Sequence, residues 1–424
     1  MMLWFFGFSE GLFELLNIPT NICRLLVSLI IILLLLSKKN KRIPPTLFFL
    51  SSIFVIISIC SVVANEYFEF VPFSLFILMV LQGVIYFIVL INEDHNVLDK
   101  IVSYANFWII VQIPAIFIKF IILGMSESGG IGTMSVRSGS LSAIFPGVVI
   151  ALLISQYFHT KNIKWIFWIV AFCAFGIIGG KRVLIILVPA IFLLKYLYDY
   201  LTINKLMNFQ TVVMLIVIVL FIYSAIRIFP RLNREGTVGG SFDLVYAIEQ
   251  VDDYTSTDDY ISDPLELRRK AGLEYFLRYL KNQDVLTFLF GEGTGKLVQT
   301  EFRTQSATMR DVYGVRYGGR MGIIWMYLQV GLLGAIVWLL LFFNIFYKLY
   351  KSKGRDIYTI AAFLTFFVIM FDVGIYSYVT IRFFPVFSLW ALFSSLSYRK
   401  NVLDYNEIYN KKSQYLFVSH PDRS

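Results

Sequence analysis

The sequence predicts an all-α, polytopic membrane helix bundle with one large extracytoplasmic loop. Three observations predict it. Of 424 residues, 58% are hydrophobic and 17% aromatic, and only 15% are charged, far from the averages of soluble globular chains. Apolar runs recur along the chain with short polar connections between them, several close to the roughly 20 residues that a helix needs to cross about 30 Å of hydrocarbon. One interruption breaks the series: residues 230–320 hold 12 of the 37 Lys+Arg and 14 of the 28 Asp+Glu. A net charge of +9 also fits a nucleic-acid protein, but the positives sit in clusters between apolar runs, as in a membrane protein, so no nucleic-acid partner is expected.

In chain order, the candidate spans are 20–37, 46–63, 72–91, 101–123, 141–158, 165–178, 183–198, 211–229, 321–347, 357–376 and 383–396. Residues 1–16 are apolar but carry Glu10 and Glu14, so they read as a short twelfth span, a re-entrant piece or an interfacial helix, with no cleavable signal pattern. This gives 11–12 transmembrane helices. Residues 1–229 form an N-terminal bundle of about eight spans, 230–320 the loop domain, 321–398 about three further spans, and 399–424 a tail. Cys23, Cys60 and Cys173 lie in or beside apolar runs with no CxxC spacing, so neither a disulfide framework nor a metal site is read from them.

Basic clusters set the orientation. Lys38 to Arg42, Lys161 with Lys164, Lys348 to Arg355, and Arg399 with Lys400 fall on one side when eleven spans alternate. The positive-inside rule makes that side cytoplasmic. The loop then lies outside, as does the turn Gly179-Gly180-Lys181-Arg182, while the neutral-to-acidic connection 92–100 fits the scheme least well.

The loop has internal order. Residues 230–266 carry two basic and nine acidic residues, and 267–320 carry ten basic and five acidic. Asp263 as N-cap, Pro264 after it and Glu266 at capping-box spacing predict a helix start. Leu273, Phe276, Leu277 and Leu280 then repeat at helical spacing, predicting one apolar face on the membrane surface or over the mouth of the bundle.

Several groups are candidates for chemistry. Gly291-Glu292-Gly293-Thr294-Gly295 lets backbone N–H groups approach an anion, and equally reads as a turn ending a buried segment. Lys181 and Arg182 either hold a lipid phosphate or snorkel at the interface. Lys119, Arg227, Asp372 and Arg382 lie within or at the ends of apolar runs, where charge is costly and functional by default. Lys119 also fits a snorkelling side chain, and Asp372 and Arg382 a mutual pair. His95, His159 and His420 all fall on the predicted inner side, which excludes a histidine base on the outer face.

Three pieces resemble the O-antigen polymerase and O-antigen ligase superfamily of bacterial membrane glycosyltransferases. A small-Arg turn opens a span ahead of the loop at Gly180-Lys181-Arg182-Val183. An arginine on a loop helix, Arg269, precedes Phe288-Leu289-Phe290-Gly291-Glu292-Gly293. Gly331-Leu332-Leu333-Gly334 then follows inside a span. The resemblance covers about 150 residues. Eleven positions before Gly331, where ligases of the family carry a histidine, this chain has Arg320, which favours polymerase over ligase.

The resemblance implies that undecaprenyl-pyrophosphate-linked repeat units are joined on the outer face of a bacterial inner membrane, without metal or cofactor. The product is O-antigen or a related surface polysaccharide. It implies Arg182, Arg269 and Arg320 as contacts of the pyrophosphate leaving group, with Lys181, Arg268, Arg278, Gly291 and Gly293 assisting in binding, and Glu274 or Glu292 as general base. Lipid, a flippase and a chain-length regulator of the same pathway are the implied partners. The competing readings are a ligase-type glycosyltransferase and a transporter of lipid-linked oligosaccharides. The absent outer histidine argues against the first, and the absence of a visible repeat against the second.

Overall fold

The computed structural model describes residues 2–37, 42–124, 131–136, 138–179, 181, 183–203, 209–256, 269–298, 305–315, 321–351 and 356–403. Among these residues the chain is a helix bundle without β-strands. Two short helices, α1 (Met2–Phe8) and α2 (Glu10–Leu15), precede the long ones. There follow α3 (Thr20–Ser37), α4 (Pro45–Ala64), α5 (Phe70–Ile91), α6 (His95–Phe117), α7 (Leu141–Thr160), α8 (Lys164–Ile178), α9 (Val183–Ile203) and α10 (Phe209–Ile228). The loop contributes α11 (Leu244–Ser256), α12 (Arg269–Lys281), α13 (Val285–Phe290) and α14 (Gln305–Tyr313). The chain returns through α15 (Gly322–Lys351), α16 (Ile357–Phe371), α17 (Val379–Arg382) and α18 (Phe384–Tyr398).

Nine helices among the described residues are long and apolar enough to cross a membrane, and the protein is a multi-pass membrane protein. The other two expected spans are α8 and α18, of 15 residues each. Fifteen residues rise only about 22 Å. In α18 the shortfall is met by α17 on one side and a π turn over Arg399–Leu403 on the other.

Burial separates the centre of the bundle from its lipid-facing rim. Every residue of α18 is buried, and it packs on α5 and α16. Of the apolar 18-residue stretches that mark these spans, those of α5 and α7 are 78% and 83% buried, against 28% in α3 and α4. The serines of the central helix need partners in so dry a place. Ser388 and Ser395 donate back to the carbonyls of Pro385 and Leu392, and Ser397 meets Thr359 at 2.6 Å.

Residues 2–16 form no span. α1 and α2 have seven and six residues, too short to cross. They tuck against α3, α6 and α18, with Trp4 and Phe8 buried. Gly7 makes this possible, since a Cβ there would lie 2.6 Å from the Phe384 ring.

The loop helix α12 packs against the protein by half of the face its spacing predicts, widened by two tyrosines. Phe276 and Leu280 do turn inward, joined by Tyr275 and Tyr279, but Leu273 and Leu277 are 46% and 51% exposed. The tyrosines count as polar in a period reading, yet their rings supply the contact and Tyr275 donates to the Tyr313 carbonyl at 2.8 Å. The predicted cap, Asp263 to Glu266, lies outside the described residues.

Candidate functional site

The end of the bundle that carries 230–320 collects buried charge. Its frame is the turn between α16 and α18. α16 runs into a π turn, Asp372–Tyr376, and the Asp372 carboxylate is fully buried there. It accepts from Ser377 Oγ at 2.6 Å, Thr380 N at 2.7 Å and Thr380 Oγ1 at 2.6 Å. Three donors make the burial of a carboxylate tolerable and fix the short α17. On one side of this turn the Arg269 guanidinium lies 4.4 Å from the centroid of the Tyr376 ring, close enough to Asp372 to interact with its charge. The arrangement is a cation–π contact beside a carboxylate.

On the other side α17 delivers Arg382 to a small cavity, and Arg24, from the second turn of α3, shares it. Arg24 is buried and forked onto Glu10 of α2: its Nε donates to Oε1 at 3.0 Å and its Nη2 to Oε2 at 2.9 Å. Trp325 of α15 and Tyr378 complete the polar lining, their rings stacked at 5.6 Å, while Met79 and Ile381 form part of the apolar wall. Arg382 lies within electrostatic reach of Arg24, Glu10 and Glu14.

The insertion of α1 and α2 is what brings those glutamates here. Gly11 N donates to Thr133 O at 2.9 Å, Thr133 Oγ1 to Phe8 O at 2.6 Å, and Val136 N to Glu14 Oε2 at 2.6 Å. Lys119 does not snorkel outward. It is buried, and its Nζ donates to Ser135 O at 3.1 Å. Arg227 is also spoken for, donating to the carbonyls of Gly240 and Gly239 and so pinning the start of the loop.

No protein-family model matches this chain, and no curated protein or solved structure matches it either.

The residues singled out in sequence fall in three groups. Arg182, Arg268 and Arg320 lie outside the described residues. Arg269 sits at the turn described above. Lys181, in the connection between α8 and α9, is half-buried, and that burial pushes the pKa of its ammonium down. Glu274 and Arg278 are exposed on α12.

Gly291, Glu292 and Gly293 belong to a joint between the loop and α15. At Gly331 the backbone of α15 leaves the helical region, with φ 66° and ψ −170°. The glycine-rich segment docks at this break. Glu292 N donates to Leu328 O at 2.7 Å, and Gly295 N to Gln329 Oε1 at 3.0 Å. The Gln329 carbonyl accepts from Ser61 Oγ at 2.8 Å and Thr294 Oγ1 at 3.3 Å. A Cβ at Gly331 would lie 2.3 Å from the Leu289 carbonyl, and one at Gly291 2.6 Å from Gly331 N, so the two chains touch backbone to backbone. The N–H groups of Gly291, Glu292 and Gly295 are thus held by protein acceptors, as in a packed turn. Glu292 accepts from the Tyr279 hydroxyl and has Lys296 Nζ at 3.9 Å. Burial first, and the bond to Glu292 second, raise the pKa of Tyr279.

Sequence reasoning missed Arg24, Glu10, Trp325 and Tyr378 as parts of one site. Arg24 carried a usable signal: a lone charge in the second turn of an apolar span. Glu10, fourteen residues earlier, was the partner to look for.

Proposed function

We propose that this protein is a membrane glycosyltransferase that joins undecaprenyl-pyrophosphate-linked oligosaccharide repeat units, a polymerase of O-antigen or a related surface polysaccharide. The reading places it in a bacterial inner membrane with 230–320 outside, where flippase and chain-length regulator would meet it. The observation that carries it is that buried Arg24 and partly buried Arg382, from opposite ends of the chain, share one cavity beside the turn between α16 and α18, with Arg269 on the other side of that turn. Buried cations are expensive in a membrane, and a reaction that expels a pyrophosphate is one reason to keep them. The motif resemblance supplies the substrate.

In the proposed reaction an acceptor hydroxyl attacks the anomeric carbon of the growing chain. The new C–O bond forms as the bond to the pyrophosphate oxygen breaks, the electron pair leaves with the pyrophosphate, and the hydroxyl proton passes to a base. Arg269, with Arg182 and Arg320, stabilises the charge growing on the leaving oxygen. Glu274 faces solvent and is the freer of the two base candidates, because Glu292 is engaged by Tyr279.

The test is the surface glycan of a strain lacking this gene. Surface molecules capped with a single repeat unit are expected. A full-length polymer left unattached on its lipid carrier would point to a ligase, and an unchanged glycan would remove the reading.

A further inference from the structure

Part of the loop reaches down into the bundle. Helix α4 ends at Ala64, and Ser58 lies six residues before that end, about 9 Å along the axis. Thr294, from the loop, donates its hydroxyl to the Ser58 carbonyl at 3.0 Å. Leu297 and Val298 follow, and both are buried in the main apolar core with residues of α5 and α18. Residues 285–298 therefore pass the end of α4 and pack at the depth of the spans.

Irregular backbone is tolerated at such depth only where protein satisfies its polar groups. The Asp284 carboxylate caps α13, accepting from Thr287 N at 2.9 Å and Thr287 Oγ1 at 2.8 Å. At the other end Gly291 N donates to Thr287 O at 2.8 Å, and Asn65 Nδ2, just beyond α4, donates to Gly291 O at 2.8 Å. Lys296 N and Val298 N close turns onto the carbonyls of Gly293 and Gly295. With the bonds of Glu292 N and Gly295 N to α15, the segment carries its own hydrogen bonding into the bundle.

Its outward end is apolar. α13 contains no charged residue, yet Val285 and Leu286 are 72% and 57% exposed. Their surroundings indicate what covers them. α13 packs on α4 and α15, beside a stretch where Val63 at the end of α4 and Phe70 at the start of α5 are also exposed. Those two belong to spans whose outward faces meet lipid, as Ile56 does farther along α4. A soluble partner seated on α13 would have to displace lipid from the same rim.

We infer that residues 285–298 form a re-entrant element in the leaflet on the loop side of the membrane, with lipid acyl chains covering Val285 and Leu286. The inference rests on the membrane bundle and holds whichever reaction the protein carries out.

The test is nitroxide labelling of Leu286→Cys, and separately of Val285→Cys, in full-length protein reconstituted into phosphatidylethanolamine–phosphatidylglycerol vesicles. Cys23 and Cys173 are buried, and Cys60→Ala removes the third thiol. Ile56→Cys is the lipid reference, and Asp311→Cys, exposed on α14, the water reference. Collisions with oxygen, which concentrates in lipid, and with a water-soluble nickel chelate are read by electron paramagnetic resonance. At both positions the ratio of oxygen to nickel collisions should exceed that at Asp311 several-fold. The label should lie about 5–10 Å into the boundary between headgroups and acyl chains, shallower than at Ile56. A ratio matching Asp311 at either position, or a label level with the phosphates, would lift α13 out of the leaflet and overturn the proposal. Protection from both reagents would overturn it too, since a second copy of the chain would then cover this face.

Discussion

Two buried ion pairs, built differently, occupy different ends of the bundle. Arg24 and Glu10 lie at the loop end, fourteen residues apart, on separate helices, with side chains only 6% and 4% exposed. Lys195 and Asp199 lie farther along α9, one helical turn apart, with Lys195 almost fully buried over the Phe158 ring and Asp199 22% exposed. The second pair forms wherever α9 is helical, and its carboxylate reaches water. The first exists only because α1 and α2 fold back into the bundle. A chain that buries both partners of a long-range pair has a use for the charge at that place, whereas an i,i+4 pair with one wet end is an ordinary way to seat a lysine.

The sharpest way to break the comparison is to remove one partner of the first pair. Arg24→Met should leave Glu10 buried and uncompensated and cost about 3–5 kcal/mol, read as thermal unfolding of the purified protein in detergent. Changing both partners, Arg24→Met with Glu10→Gln, should recover most of that stability, since no lone charge remains. Glycan polymerisation should stay lost in the double variant. If its activity returned along with stability, the pair would be scaffold and the contrast with α9 would fail.

A smaller effect on stability and a larger one on activity are expected at Arg269. Its Tyr376 contact is half-buried, so Arg269→Ala should leave protein levels near normal. Polymer length and amount should drop by about a hundredfold if the residue stabilises the leaving group. Arg269→Lys should rescue in part, because an ammonium keeps the charge and loses the fork. Normal polymer in the alanine variant removes Arg269 from the site.

The joint at Gly331 tests whether the loop is mechanically tied to the bundle. Its backbone lies in a region that only glycine tolerates, worth about 1–3 kcal/mol of strain to any other residue, and a Cβ would strike the Leu289 carbonyl. Gly331→Ala should therefore lower the unfolding temperature and loosen protease protection of α13. Gly374→Ala, where a Cβ meets nothing within 4 Å, is the matched control and should be silent.

The membrane class and most spans were legible because length and apolarity act locally: nine of the eleven expected runs are helices long and apolar enough to cross, and α8 and α18 were found from composition although each has only 15 residues. What sequence could not reveal depends on contacts between distant segments. The spacing of Leu273, Phe276, Leu277 and Leu280 gave a helix and half of its packed face, and Tyr275 and Tyr279 join that face through their contacts with Tyr313. The break in α15 hides in a Gly-Leu-Leu-Gly that reads as an ordinary span, and only the docking of 291–295 forces it open. Glu10 looked like a reason for residues 1–16 to avoid the membrane. Its partner Arg24 is what admits it to the bundle.

The smallest expected effect closes the comparison. Lys195→Met removes a buried cation and replaces it with an unbranched side chain of similar length, suited to the same groove beside Phe158. Asp199 is left without its lysine, but part of its carboxylate is already exposed, so it can turn to water or lipid headgroups and needs no counter-charge. The change in stability should stay within about 1 kcal/mol, the range of a helix pair with one solvated partner. Polymerisation should be unaffected. Arg24→Met makes the same chemical change, a buried cation to methionine, yet leaves its carboxylate with nowhere to go. Measured side by side in one detergent, the two substitutions should differ by several degrees in unfolding temperature. Equal losses would mean that burial of the cation alone sets the cost, and that the fold-back of α1 and α2 around Glu10 carries no special weight.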